Sequence, residues 1–279
     1  MQTSLKIDEL LKILVSFNTI SALPNIEMID FIRDYINSYG IDTNIESTPD
    51  GSKADLIATF GPKIEGGIVI SGHTDVVPVK GQNWDSDPFT LVNKNDRLYG
   101  RGTSDMKGFL AVALSHVSGL SKKELKVPVH FVFSYDEEIG CLGAPGLVKR
   151  LCASVPKPGL AIIGEPTNMT LVNAHKGISL FETSIRGRPA HSSQTHMGVN
   201  AIDYASKCIQ FLSEISKDLR VNENVDERFE PSYSTISVGL INGGSAINII
   251  PEECKFSWEC RDISGQDSGW VLSNFEEFC

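Results

Sequence analysis

Three short apolar runs constrain this fold more than any other feature of the sequence: Ile68-Val69-Ile70, Val129 to Phe133, and Leu160-Ala161-Ile162-Ile163. Runs this short and this uniformly apolar read as strands buried on both faces. A helical stretch, Phe109 to Leu120, lies between the first two. Two amphipathic helices precede them. Ile7, Leu10, Leu11 and Leu14 recur at helical spacing behind Thr3 and Ser4, and Met28, Phe31, Ile32 and Tyr35 do so one segment later. Strands alternating with helices predict an α/β layer around a largely parallel sheet.

From Gly177 the pattern changes to a strand over Ile178 to Ile185, a helix from Val199 to Ile215, and strands near Thr235 to Ile241 and Glu253 to Arg261. This predicts a smaller α+β unit at 177–279, following a larger unit at 1–176. A chain of 279 residues has room for two ordinary domains. The 25 basic and 35 acidic side chains leave a net charge of −10, which argues against a surface for nucleic acid. The six cysteines lack the close pairing of zinc ribbons and redox motifs and are expected to be reduced. Asp8 and Glu9 interrupt any signal-like core near the start, and no apolar run is long enough to span a membrane. The expected location is the cytoplasm.

Each apolar run leads directly into ionisable residues. The first passes through Ser71-Gly72 into His73-Thr74-Asp75, the second through Ser134-Tyr135 into Asp136-Glu137-Glu138, and the third through Gly164 into Glu165. In open α/β sheets, ligands bind at the carboxyl ends of strands, so one histidine and several carboxylates can meet at one sheet edge. Asp105, in Gly100-Arg101-Gly102-Thr103-Ser104-Asp105-Met106-Lys107-Gly108, stands just before the helical stretch, where it can also serve simply as a helix cap. Clustered carboxylates repel one another unless a divalent cation neutralises them, so a metal site is the simplest reading. Imidazole and carboxylate both suit zinc, and Asp75 is placed to hold the second nitrogen of His73. His116, in a helix, and His130, in a buried strand, read as core histidines. His175 and Lys176 read as structural or peripheral residues.

With these residues in place, the chain resembles the M20 family of co-catalytic zinc amidohydrolases. The resemblance rests on Ser71 to Pro78, Trp84 to Phe89, Gly100 to Gly108, Asp136-Glu137-Glu138 and Gly164-Glu165-Pro166-Thr167. Within the family, the last segment and Ala174-His175-Lys176-Gly177 are most similar to the acetylornithine deacetylase branch, with succinyl-diaminopimelate desuccinylases the nearest competitor. The resemblance implies two zinc ions, replaceable by cobalt. His73 and Glu165 would bind one, Glu138 the other, and Asp105 would bridge them. It makes Glu137 the general base, with Asp75 behind His73. It makes His191, in Pro189-Ala190-His191-Ser192-Ser193, an electrophile on a lid and dimerisation domain, and Asn248 and Arg261 substrate contacts. It further implies a small N-acylated amino acid as substrate, a homodimer formed through the lid, and a place in arginine biosynthesis.

In the family pattern, a returning C-terminal segment supplies the last histidine ligand of the second zinc, and no residue here matches it. The expectation is therefore a C-terminally truncated form, residues 1–176 being the N-terminal part of the catalytic domain and 177–279 the lid. Three functions compete: hydrolysis of N2-acetylornithine, hydrolysis of succinyl-diaminopimelate or another M20 substrate, and an inactive binding or dimerisation protein.

Overall fold

The computed structural model describes residues 4–221, 225–263 and 268–279; Thr3, expected near the first helix start, lies outside them. The chain forms two compact units, residues 1–170 and 171–279, where the sequence pattern placed the change at 176/177.

The first unit opens with α1 (Ile7–Ser16) and α2 (Ile26–Asn37), which bury the apolar stripes predicted for them except Ile7, which is exposed, and Phe31, which is half-buried. The start of α1 is set at Lys6, whose amide donates to the Glu9 carboxylate at 2.7 Å and so satisfies one of the orphan donors of the first turn. Next come β1 (Thr43–Ser47), β2 (Ala54–Phe60), β3 (Ile68–His73) and a small hairpin of β4 (Val92–Lys94) and β5 (Arg97–Tyr99). The predicted helical stretch is two helices, α3 (Lys107–Ser115) and α4 (Val117–Leu120), with His116 at the break. The unit continues with β6 (Val129–Ser134), α5 (Ala144–Ser154) and β7 (Leu160–Ile163).

The five-stranded sheet has the order β1-β2-β6-β3-β7. It is parallel where β6, β3 and β7 pair and antiparallel where β1, β2 and β6 pair. Because successive strand residues point to opposite faces, β2 and β6 divide their side chains between two layers. Ala54, Leu56, Ala58, Phe60, Phe131 and Phe133 pack with α1, α2 and α3, whereas Ile57 and Val132 pack with Leu147 and Leu151 of α5. The antiparallel pair β1 and β2 was not foreseen: Thr43–Ser47 is short and polar, and Asp55 interrupts the apolar run of β2. Asp55 is buried against the guanidinium of Arg150.

One expectation is overturned. Leu160, Ala161, Ile162 and Ile163 form a strand as predicted, but all four are exposed, Leu160 by 54% and Ile163 by 57%. Burial depends on neighbouring layers rather than on composition, and β7 is an edge strand that pairs with β3 alone among the described residues.

The second unit is α+β, as predicted. It comprises β8 (Ser179–Arg186), a 3-10 turn at Thr195–Met197, α6 (Ala201–Val221), β9 (Thr235–Gly243), β10 (Glu253–Arg261) and α7 (Ser268–Phe278). The sheet is antiparallel with order β8-β10-β9. Alternate residues of the central strand, Cys254, Phe256, Trp258 and Cys260, are buried against Ala205, Leu212, Ile215 and Leu219 of α6 and Val271 and Phe275 of α7. The Phe181 and Trp258 rings stack at 4.2 Å, and the Trp258 indole N–H donates to Thr183 Oγ1 at 3.1 Å. Among the described residues, no helix is long and apolar enough to cross a membrane.

Of the two core histidines expected, His130 is one, whereas His116, at the break between α3 and α4, is exposed. His130 is fully buried, shares a 2.9 Å hydrogen bond between Nδ1 and the Thr59 hydroxyl, and has no partner for Nε2 among the described residues. Burial pushes its pKa below the ordinary value. The unfolded chain thus takes up the proton first, so stability is intact above about pH 6.5 and falls as pH drops through the lower folded-state value. His130→Leu removes this group. In urea titrations at about pH 7.5 and about pH 5, wild type should lose stability relative to the variant at the lower pH; a pH-independent difference would refute the assignment.

Candidate metal centre

The centre is built at the carboxyl ends of three adjacent parallel strands. His73 is the last residue of β3, Glu137 and Glu138 follow β6 after Tyr135-Asp136, and Glu165 follows β7 after Gly164. Gly72 and Gly164 permit this close approach. A Cβ on Gly72 would lie 2.8 Å from Leu110 and Met106, and one on Gly164 would lie 2.1 Å from the Phe109 ring, so α3 can sit directly over the strand ends. Asp105 stands ahead of α3 but does not cap it: the N-cap position is Met106, without a side-chain cap bond, and the Asp105 carboxylate turns to His73 instead.

The geometry centres on one imidazole nitrogen. His73 Nε2 lies 3.0 Å from Asp105 Oδ1 and 3.9 Å from both Glu137 Oε2 and Glu165 Oε1. Two sets of ligand atoms lie mutually within 4.8 Å, His73 with Glu137 and Glu165, and His73 with Asp105 and Glu138. The resemblance grouped His73 with Asp105 and Glu165, leaving Glu137 uncoordinated. The other nitrogen, Nδ1, is 2.9 Å from the main-chain carbonyl of Asp75 and 3.5 Å from its carboxylate, so the nearer acceptor is the backbone. With Nδ1 as the donor, a neutral imidazole aims its Nε2 lone pair at carboxylate oxygens, an arrangement that requires a proton or a cation between them.

The titration behaviour expresses the same crowding. Burial alone would lower the His73 pKa, but the bond with Asp75 and the charges of Asp75, Glu165 and Glu137 outweigh it and raise the value to about 9. Burial raises Glu138, with repulsion from Asp105, Glu137 and Asp75 adding to it against the pull of His73. Burial also raises Glu165, with Asp105 and Glu137 adding to it and His73 opposing. Asp75 behaves oppositely. Burial would raise it, but bonds from His73, the Ser21 hydroxyl and the Glu137 amide together hold it below the usual range. One imidazole among four carboxylates whose charges compete is a donor set that fits a divalent cation such as zinc.

Sequence reasoning missed the residues behind this cluster. The segment joining α1 to α2 folds under the His73-Thr74-Asp75 turn. Thr19 Oγ1 donates to the Thr74 carbonyl at 2.6 Å, Ser21 Oγ donates to Asp75 Oδ2 at 2.7 Å, and Asn25 Nδ2 donates to Thr74 Oγ1 at 2.9 Å. All three are buried. The signal available was a mixed stretch, Asn18 to Asn25, with Thr19, Ser21 and Asn25 among apolar residues between two amphipathic helices, which reads equally as an ordinary loop. Lys107 is also fully buried, its ammonium donating to the Phe17 carbonyl at 2.7 Å while burial lowers its pKa to about 7.

In the second unit, the structure brings together two of the three expected residues. His191 bridges Ile249, and the Ser192 amide donates to the Asn248 carbonyl at 3.0 Å, so His191 and Asn248 lie side by side. The Ser193 amide donates to His191 Nδ1 at 3.2 Å, which leaves Nε2 of the exposed neutral ring as its donor. Arg261 lies at the far end of β10, paired with Thr235 in register and ion-paired with Glu259 at 3.3 Å. Lys176 donates to the Tyr233 carbonyl at 2.7 Å, and His175 contacts the Lys176 carbonyl.

Comparison with known proteins agrees with this architecture. The chain is 36% identical over 258 residues to an acetylornithine deacetylase of Myxococcus xanthus, an overlap covering 91% of this chain and 66% of that one. It thus spans just under two thirds of that relative's length. Its fold matches an M20 family metallo-carboxypeptidase of Sulfolobus solfataricus with TM-score 0.77 at 22% identity, covering 96% of this chain and 73% of the other. A dinuclear metal binding peptidase of the M20 family from Bacillus subtilis matches with TM-score 0.62 at 17% identity, covering 97% and 67%. The sequence pattern of peptidase family M20/M25/M40 covers residues 69–259, from within β3 to within β10, and takes in His73, Asp105, Glu137, Glu138 and Glu165; the chain belongs to that family.

Proposed function

We propose that this chain is part of a metal-dependent amidohydrolase that cleaves N2-acetylornithine to ornithine and acetate in arginine biosynthesis. The observation that carries the hydrolytic reading is the convergence of His73, Asp105, Glu137, Glu138 and Glu165 at the ends of β3, β6 and β7. The substrate is supported by the 36% identity to an acetylornithine deacetylase. Two zinc ions, held by His73, Glu165, Asp105 and Glu138, would supply Lewis-acid polarisation of the amide carbonyl. Glu137 takes a proton from the attacking water and returns it to the leaving amine. Asp75 orients the His73 imidazole through Nδ1. In the smaller unit, taken as a lid and dimerisation domain in a cytoplasmic homodimer, His191 offers its Nε2–H to the developing oxyanion, and Asn248 and Arg261 bind substrate.

Acetate release from N2-acetylornithine, run beside succinate release from succinyl-diaminopimelate with zinc or cobalt present, tests the substrate. Faster desuccinylation would transfer the assignment to that reaction. A second reading is favoured by one observation: both candidate ligand sets share the single His73 imidazole. A chain that holds one ion tightly and turns nothing over would be a binding or dimerisation protein, and titration to one zinc per chain rather than two, without turnover, would establish it.

Two substitutions separate the roles at the centre. Glu137→Gln should retain zinc uptake by calorimetry while turnover falls about 10³-fold, because an amide cannot accept the water's proton. His73→Ala should abolish tight uptake. Loss of zinc binding in Glu137→Gln, with Glu138→Gln sparing it, would reverse the two glutamates.

The homodimer and the role of His191 have their own test. Mixing Glu137→Gln chains with His191→Ala chains should restore part of the activity if the lid histidine acts across a dimer. No recovery despite demonstrated subunit exchange would confine His191 to its own chain.

A further inference from the structure

Asp136, which opens the turn bearing Glu137 and Glu138, has φ 56°, in the left-handed region that residues with a Cβ enter at a cost. A residue distant in sequence anchors its side chain. The Lys53 ammonium, 14% exposed, pairs with the Asp136 carboxylate, 10% exposed, and also donates to the Ser21 carbonyl. Ser21 donates its hydroxyl to Asp75 Oδ2 at 2.7 Å. Asp75 then accepts the Glu137 amide on Oδ1 at 3.1 Å and the Glu138 amide on Oδ2 at 3.3 Å. These bonds close a ring from Lys53 through Asp136, the two glutamate amides, Asp75 and Ser21 back to Lys53. Neither Lys53 nor Ser21 belongs to a candidate ligand set.

We propose that Lys53 and Ser21 are positioning residues for the centre: through Asp136 and Asp75 they fix the backbone from which Glu137 and Glu138 project, and the carboxylate behind His73. This inference rests on the metal-dependent reading of the site. The ring joins the segment after α1, the residue before β2 and the turns after β3 and β6 through two carboxylates, Asp75 and Asp136. Removing either residue frees the Glu137-Glu138 turn without removing a ligand or a base.

The test uses the full chain and the variants Ser21→Ala, Lys53→Met and Lys53→Met/Asp136→Asn. The double variant leaves no unpaired buried charge, so it separates the tether from the cost of a lone carboxylate. In the metal-free chain, the Glu137 and Glu138 amides should exchange with deuterium about ten-fold faster in Ser21→Ala and in the double variant, while β6 keeps wild-type rates. Cobalt affinity should fall about ten-fold, with a shifted visible absorption band. Unchanged exchange at the two glutamates, acceleration spread evenly over the first unit, or fast local exchange with cobalt affinity and spectrum unaltered would each overturn the proposal. If the wild-type chain takes up no cobalt, the metal reading fails, and the exchange rates still decide whether Lys53 and Ser21 hold the turn.

Discussion

Mutual repulsion among carboxylates around one imidazole is the constraint on which the rest of the first unit depends. Asp105, Glu137 and Glu165 all reach His73 Nε2 within 3.9 Å, and Glu138 joins Asp105 beside it. Left to themselves such groups separate or take up protons, and burial makes both the separation and the protonation more favourable. They are instead held by elements with independent reasons to be where they are. The sheet order places the ends of β6, β3 and β7 side by side, and glycines at 72 and 164 let α3 close over them. The layered core beneath is the stabilising term that makes this concentration of charge tolerable.

Behind the charges lies a buried polar layer that serves the backbone rather than any ligand. Thr19, Ser21 and Asn25 place their hydrogen bonds on the His73-Thr74-Asp75 turn, and Asp75 passes them on to the amides of Glu137 and Glu138. Each buried group has its partner, which is the condition for such a layer to rigidify a site rather than weaken it. Asp75 is therefore less a simple companion of the imidazole than a junction between two turns. Its low pKa is maintained by donors from three separate segments. The smaller unit differs in kind: its core is almost purely apolar, and its polar candidates lie exposed on loops and strand ends.

The predicted strands over Ile68-Val69-Ile70, Val129 to Phe133 and Glu253 to Arg261 are all present, as are α1 and α2, because apolar spacing reports local conformation directly. So is the meeting of His73, Glu137, Glu138 and Glu165, since strand-end position follows once the strands are known, with Asp105 joining them from the segment ahead of α3. The short polar strand β1 and the Asp55-bearing β2 carried no such signal. Nor did Ser21 and Lys53, which are ordinary polar residues until the fold places them against Asp75 and Asp136.

By itself, then, the sequence determined the strands and helices with strong apolar spacing and which ionisable residues follow those strands, because periodicity and chain order are properties of neighbouring residues. Only the tertiary structure decided which strand lies at the edge, leaving Leu160 to Ile163 exposed. It alone placed His191 beside Asn248 while leaving Arg261 at the far end of β10. It also made the backbone carbonyl of Asp75, rather than its carboxylate, the nearer acceptor for His73. Each of these depends on contacts between residues distant in the chain, whose burial, distance and charge are set by packing and not by any local pattern.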